Sequence, residues 1–306
     1  MSDITDMAVF VRVADLGSFS WAGRELRLTP AAVTKRIAKL ERRLGVRLFN
    51  RTTRKVQLTE EGSTYYDHCV RILKDIEWAE SAIAADGAKP RGFIKVTAPT
   101  LFGRMWIAPL IPKFIDAYPE LRVHLQLTDR LVNLLDEGFD VAVRNADLKD
   151  SSLIAHKLAS DRRVVCATPA YFAKMGTPET PDDLLTHRCL LLRFPGTQQY
   201  RWHFEGPNGR LAVPVKGHMD SNSSDVLYQW TLAGHGLSLR STAEVDDDLR
   251  SGRLAPVLTR FIPRDTAFYA VYPHRRLLPS KIKAFVNFLC DNLGPEPIRD
   301  RDLPIV

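Results

Sequence analysis

Apolar residues recur every three or four positions through the first part of the chain, the spacing of helices with one buried face. Between Ile4 and Leu16, Met7, Phe10, Val11 and Ala14 share such a face, and Gly17 can end the helix. Ser18 or Ser20 caps a second, short helix through Leu26, with Ala22 and Leu26 turned inward. Arg27-Leu28-Thr29 then makes a tight turn. Thr29 caps a third helix, and Pro30 at its first position loses no intrahelical hydrogen bond. Val33, Ile37, Leu40 and Leu44 form its buried stripe, and Gly45 stops it. Val46–Phe49 and Lys55–Leu58 read as two short strands around a basic tip, Asn50-Arg51-Thr52-Thr53-Arg54, which makes a wing. A long helix follows from Thr59 to about Asp86. In it Tyr65, Cys69, Ile72, Ile76, Ala79 and Ile83 recur at alternating steps of four and three, a heptad seam that calls for a partner helix or a bundle contact. Gly87, Pro90 and Gly92 mark its end.

From Phe93 the period changes. Ile94, Val96 and Ala98 alternate as a strand, a helix is expected from about Phe102 to Tyr118, and Val123, Leu125 and Leu127 make a second strand. Leu131–Glu137 reads as a helix and Val141–Val143 as a third strand, with further strands at 163–167, 189–192, 215–219 and 267–272. This β-α-β rhythm predicts a parallel sheet with helices on its faces. Ligands of such sheets sit beyond the strand carboxyl ends, where free N–H groups suit a small anion. Thr100 on one segment and Ser221, Asn222 and Ser223 on another occupy such places, and Arg144 can add a counter-charge. Each of these residues serves equally well as an ordinary helix cap or surface ion pair.

Charge changes the picture of the first segment. The chain of 306 residues has a net charge of +7, yet residues 20–58 hold eleven basic side chains against two acidic ones, so the remainder is slightly negative. Two short helices joined by a three-residue turn, the second with an exposed basic face, form a helix-turn-helix. Thr29, Pro30 and Ala31 lie at the tip that would enter the major groove. Thr34 and Lys35 are placed to read bases, Lys39, Arg42 and Arg43 to meet phosphates, and Arg51, Thr53 and Arg54 of the wing to reach the backbone or minor groove. A solvated basic face is the plainer reading of the charge, but it explains neither turn spacing nor wing. Four scattered cysteines without a C-x-x-C pair fit inert, reduced thiols, and eight dispersed histidines show no metal-ligand spacing. Phosphate-loop, dinucleotide-binding and hydrolase motifs are absent. No secretory leader opens the chain and no run reaches the ~18 apolar residues of a membrane span, so a cytoplasmic protein is expected.

Ser18-Phe19-Ser20-x-Ala22-Gly23-x-x-Leu26, Thr29-Pro30-x-Ala32-Val33-Thr34-Lys35-x-Ile37, Leu40-Glu41-x-x-Leu44-Gly45-Val46-x-Leu48-Phe49-x-Arg51-Thr52 and Leu58-Thr59-x-x-Gly62 together resemble the LysR-type transcriptional regulators. Many members open the recognition helix with a glutamine-proline pair, where this sequence has Pro30-Ala31. The resemblance implies a multidomain α+β and α/β chain. A winged helix-turn-helix (1–59) and a linker helix that dimerises (60–91) would precede a bilobed, Rossmann-like effector domain of the periplasmic-binding-protein type (92–295), then a tail (296–306). One lobe would hold about 92–164 and 267–295, the other about 165–266. It implies a regulator without enzymatic activity, cofactor or metal. Its partners would be double-stranded DNA, a small effector, further copies of the chain as dimer or tetramer, and RNA polymerase. A periplasmic solute-binding protein would share the bilobed part but lacks use for the basic segment.

Overall fold

A computed structural model describes residues 4–51, 56–83, 89–145, 153–194, 200–207, 209–263, 266–273 and 278–294. Thr53 and Arg54 at the wing tip, the side chains of Arg51, Ala79 and Ile83, and the 296–306 tail lie outside the described residues. The chain divides into two compact units, one built chiefly on residues 1–88 and the other on residues 89–306. No helix among the described residues is long and apolar enough to cross a membrane.

The first unit holds α1 (Ile4–Leu16), α2 (Phe19–Leu26), α3 (Pro30–Leu44), the hairpin β1 (Phe49–Arg51) and β2 (Val56–Leu58), and α4 (Glu60–Ile83). Its core gathers Phe10, Val13, Ala22, Val33, Ile37, Leu40, Leu48, Phe49 and Cys69, all essentially free of solvent. Leu44, the last residue of the expected stripe, is only partly buried. The strand expected from Val46 begins at Phe49, because the N–H groups of Leu48 and Phe49 donate to the Glu41 carboxylate at 2.9 and 3.3 Å.

α4 corrects the expected seam. Tyr65 packs beside Phe10 with ring centroids 5.3 Å apart, and Cys69 is fully buried in the core of its own unit. The first turns of α4 are therefore consumed within the chain, since α4 must cover α1 before it can serve as a linker. Ile72 is 42% exposed and Ile76 is half-buried, so the full burial that takes in Cys69 does not continue to these two positions of the seam.

The second unit adds β3 (Gly92–Ala98), α5 (Thr100–Phe102), α6 (Leu110–Ala117), β4 (Leu121–Leu127), β5 (Val141–Asn145), β6 (Leu153–Ser160), β7 (Arg163–Ala167) and α7 (Pro169–Met175). Then come β8 (Leu190–Leu192), β9 (Arg201–Gly206), β10 (Gly209–Pro214), β11 (Met219–Ser221), α8 (Ser224–Leu232), β12 (Ser238–Ser241), α9 (Thr242–Arg250), β13 (Ala255–Val257), β14 (Ala267–Pro273) and α10 (Ser280–Leu293). One lobe is a five-stranded sheet in the order β4-β3-β5-β14-β6. The other carries β12-β7-β13 and the pairs β8-β11 and β9-β10. β7 belongs wholly to this second lobe, so the chain crosses between lobes at residues 161–162.

Several expectations shift. The first sheet is mixed: β3 pairs in parallel with β4 and β5, but β14, returning from the other lobe, runs antiparallel to β5 and β6. The helix expected over 102–118 is broken into α5, a π-helical stretch Gly103–Ile107, and α6 behind Pro109. Leu131–Glu137 is not helical. Leu131 is 83% exposed, the turn falls at 134–138, and Gly138 takes a positive φ of 68°. No strand spans 215–219: β10 ends at Pro214 and strand pairing resumes at Met219, parallel to β8, while between them Gly217 passes so close to Cys189 that a Cβ would stand 1.7 Å from its carbonyl oxygen.

Candidate DNA interface and effector cleft

The helix-turn-helix is set by local hydrogen bonds. Ser18 accepts from the Trp21 N–H at 3.3 Å and caps α2, while Arg27 closes that helix in the left-handed region at φ 55°. Thr29 Oγ1 accepts from the Ala32 N–H at 3.2 Å and caps α3, with Pro30 in its first turn. An ion pair between Arg12 and Glu25 ties α1 to α2, one bond of which, from Arg12 Nε, is 2.9 Å. Its strong acceptor raises the Arg12 pKa from its ordinary value, mainly through the Glu25 hydrogen bond.

These contacts leave the start of α3 facing solvent. Thr29, Pro30, Ala31, Thr34 and Lys35 are all exposed. The Thr34 hydroxyl donates to the Pro30 carbonyl oxygen at 2.9 Å, so toward DNA it offers an acceptor. Lys39 is exposed as well, but its Nζ lies 3.8 Å from buried Asp6, which also holds Arg36 at 2.8 Å. Two basic residues of α3 thus also anchor α1. In the sequence Glu41 stands out only as one of two acidic charges and as part of the family motif. Its role as acceptor for the chain entering the wing was invisible because its partners are backbone groups seven and eight residues away.

In the second unit, the expected anion residues are brought to one region, with a different assignment of tasks. The Thr100 N–H at the start of α5 donates to Asp129 Oδ1 at 2.7 Å, and the Ser224 N–H at the start of α8 donates to Asp129 Oδ2 at 2.6 Å. Arg144 is buried, and its guanidinium donates to the carbonyl oxygens of Thr128 and Arg130 at 3.0 and 3.1 Å, bracing the loop that presents Asp129. Ser223 Oγ accepts from the Val226 N–H and caps α8; Ser221 Oγ accepts from the Ser223 N–H at 3.1 Å; Asn222 is exposed. Asp129 was missed, although its place just after β4, at a strand carboxyl end, was the available signal. Arg104 to Asp225 at 3.0 Å and Trp106 Nε1 to the Ala243 carbonyl at 2.9 Å also join the lobes. Among the described residues no group of His, Cys, Asp or Glu side chains could hold a metal. Cys69, Cys166, Cys189 and Cys290 are free thiols, and burial pushes Cys166 up to about 12.

Residues 4–63 match the family described as the bacterial regulatory helix-turn-helix protein of the lysR family, and residues 87–294 match the LysR substrate binding domain. The chain belongs to the LysR family of transcriptional regulators. It is 36% identical over 284 residues to the transcriptional activator TtdR of Escherichia coli, covering 93% of this chain and 91% of that one. It is 35% identical over 299 residues to a transcriptional repressor of Pseudomonas aeruginosa, covering 97% and 94%. The solved LysR-type regulator CrgA of Neisseria meningitidis aligns over 96% of this chain and 100% of its own, at 34% identity and a TM-score of 0.60. This LysR-type chain therefore combines a DNA-binding helix-turn-helix with an effector-binding domain, in a family that binds DNA and small effectors. With an activator and a repressor equally similar, the sign of regulation is not a property of the shared fold.

Proposed function

We propose that this LysR-type chain reads operator DNA with the start of α3, using Thr34 and Lys35 on bases. Thr29, Pro30 and Ala31 allow close approach, while Lys39, Arg51, Thr53 and Arg54 hold phosphates. The carrying observation is that the first turns of α3 are exposed while Val33, Ile37 and Leu40 of the same helix are fully buried. Helix and reading face are thus fixed rigidly against the core. Pairing of two chains along α4 from Ile72 through Ile76, Ala79 and Ile83 places two such helices on half-sites about 34 Å apart. The second unit responds to a small acid bound near Thr100, Arg144, Ser221, Asn222 and Ser223. The chain acts in the cytoplasm by binding rather than by catalysis, and signals to RNA polymerase.

A mobility-shift panel of single-base operator variants tests the reading face. Lys35→Ala is expected to cost about 1–3 kcal/mol and to relax discrimination at one base pair. Arg42→Ala is expected to weaken all sequences alike and to lower the salt slope by about one. Uniform weakening by both variants contradicts base readout by Lys35.

A further inference from the structure

Asp129 stands where the ligand's negative group was expected. Its two carboxylate oxygens take one N–H from each lobe, Thr100 at 2.7 Å and Ser224 at 2.6 Å. It does not serve as an ordinary cap. Helix α8 is already capped by Ser223, and Asp129 reaches both helices from a loop outside them, across 29 and 95 residues of chain. The loop is held in place by Arg144 through the flanking carbonyls of Thr128 and Arg130. The hydroxyl of Ser224 itself, and that of Thr97 near the end of β3, 6% and 0% exposed, lack hydrogen-bond partners among the described residues. A buried hydroxyl without a partner is costly, and it is relieved by a polar ligand.

We propose that Asp129 is a resident stand-in for the carboxylate of an acidic effector. It holds the two lobes together through the Thr100 and Ser224 N–H groups, and the effector acts by taking those two donors from it, with the Thr97 and Ser224 hydroxyls completing its contacts. Resting on the effector-cleft reading above, the ligand class follows from the two donors, since a single group replaces Asp129 on both when it offers two acceptor oxygens, as a carboxylate does. A ligand that must first displace an intramolecular group binds the competent fraction only, so its apparent affinity falls by that fraction.

Removing the stand-in vacates both donors. The experiment titrates formate, at constant ionic strength, against the full chain and follows the midpoint of urea unfolding. Asp129→Ala is expected to be less stable without formate and to regain stability at formate concentrations at least tenfold below those that move the wild type. Asp129→Asn, which keeps one acceptor oxygen and the side-chain size, is expected to respond between the two, and it carries the test if the alanine variant does not fold. Equal formate response in wild type and variants overturns the proposal, as does a variant response no stronger than that to chloride. Operator binding measured on the same samples separates the two readings. If formate binds Asp129→Ala tightly yet never changes operator binding, the effector reading fails while the carboxylate site stands.

Discussion

Gly62→Ala is expected to destabilise the N-terminal unit by about 3 kcal/mol or more and to abolish operator binding by the full chain. A Cβ at residue 62 would lie 2.0 Å from the Leu48 carbonyl oxygen and 2.9 Å from its carbon. Both are backbone atoms and cannot swing aside. The same Leu48 oxygen accepts the Thr59 N–H at 3.0 Å, while Thr59 Oγ1 accepts the Gly62 N–H at 2.9 Å and donates to the Arg47 oxygen at 2.7 Å. The start of α4 and the entry to the wing are thus pinned to each other. Separating them by the ångström a methyl group demands breaks the two bonds that span them, from the Thr59 N–H to Leu48 and from Thr59 Oγ1 to Arg47, and lifts Tyr65 and Cys69 from the core. Urea denaturation followed by circular dichroism checks the stability, and a mobility shift checks the binding. A variant with wild-type values in both contradicts this close approach.

The second large effect lies where the chain first crosses between lobes. Asp161 is buried at 4% exposure, and its carboxylate accepts from Asn145 Nδ2 and Ser241 Oγ. Its backbone N–H donates to the Thr266 oxygen and its carbonyl accepts from Thr266 Oγ1, both at 2.9 Å, so it ties the two crossing segments together. Burial pushes its pKa up to about 7, opposed by Arg163 and the Ser241 hydrogen bond and reinforced by Glu244. Between the ordinary carboxylate pKa near 4 and that value, the native chain holds a proton that the unfolded chain has released. Stability therefore falls as pH rises through this window, by up to about 1.4 kcal/mol per pH unit from this group. Asp161→Asn is expected to flatten the dependence between pH 5 and 7. Urea midpoints for both proteins across that range check it, and parallel curves would mean that Asp161 stays ionised.

Much of the first unit was legible in the sequence because its determinants are local. Caps at Ser18 and Thr29, Pro30 at a helix start, Gly45 at a helix end and a stripe at Val33, Ile37 and Leu40 all act within a few residues. Contacts made at a distance were not legible. Tyr65 and Cys69 carry the same heptad spacing as Ile72 and Ile76, and periodicity alone does not say which partner fills a seam. The same holds in the second unit. The positions around Thr100 and Ser223 were found from strand-end logic, yet the N–H groups of Thr100 and Ser224 find their partner in Asp129, between the expected strand ending at Leu127 and the helix expected from Leu131. Strands β6, β9, β10, β12 and β13 were not among the expected ones, although in β9 buried Trp202 and Phe204 alternate with exposed neighbours, a signal that was available.

In the proposed function, the basic face on α3 and the wing binds operator DNA. Titrating the full chain against the DNA upstream of its own gene, at salt concentrations from about 50 to 200 mM, tests it most directly. The expected result is saturable binding whose affinity falls by about 10³-fold or more across that range, with a logarithmic slope set by several phosphate contacts. Binding that is absent, or indifferent to salt, would contradict it.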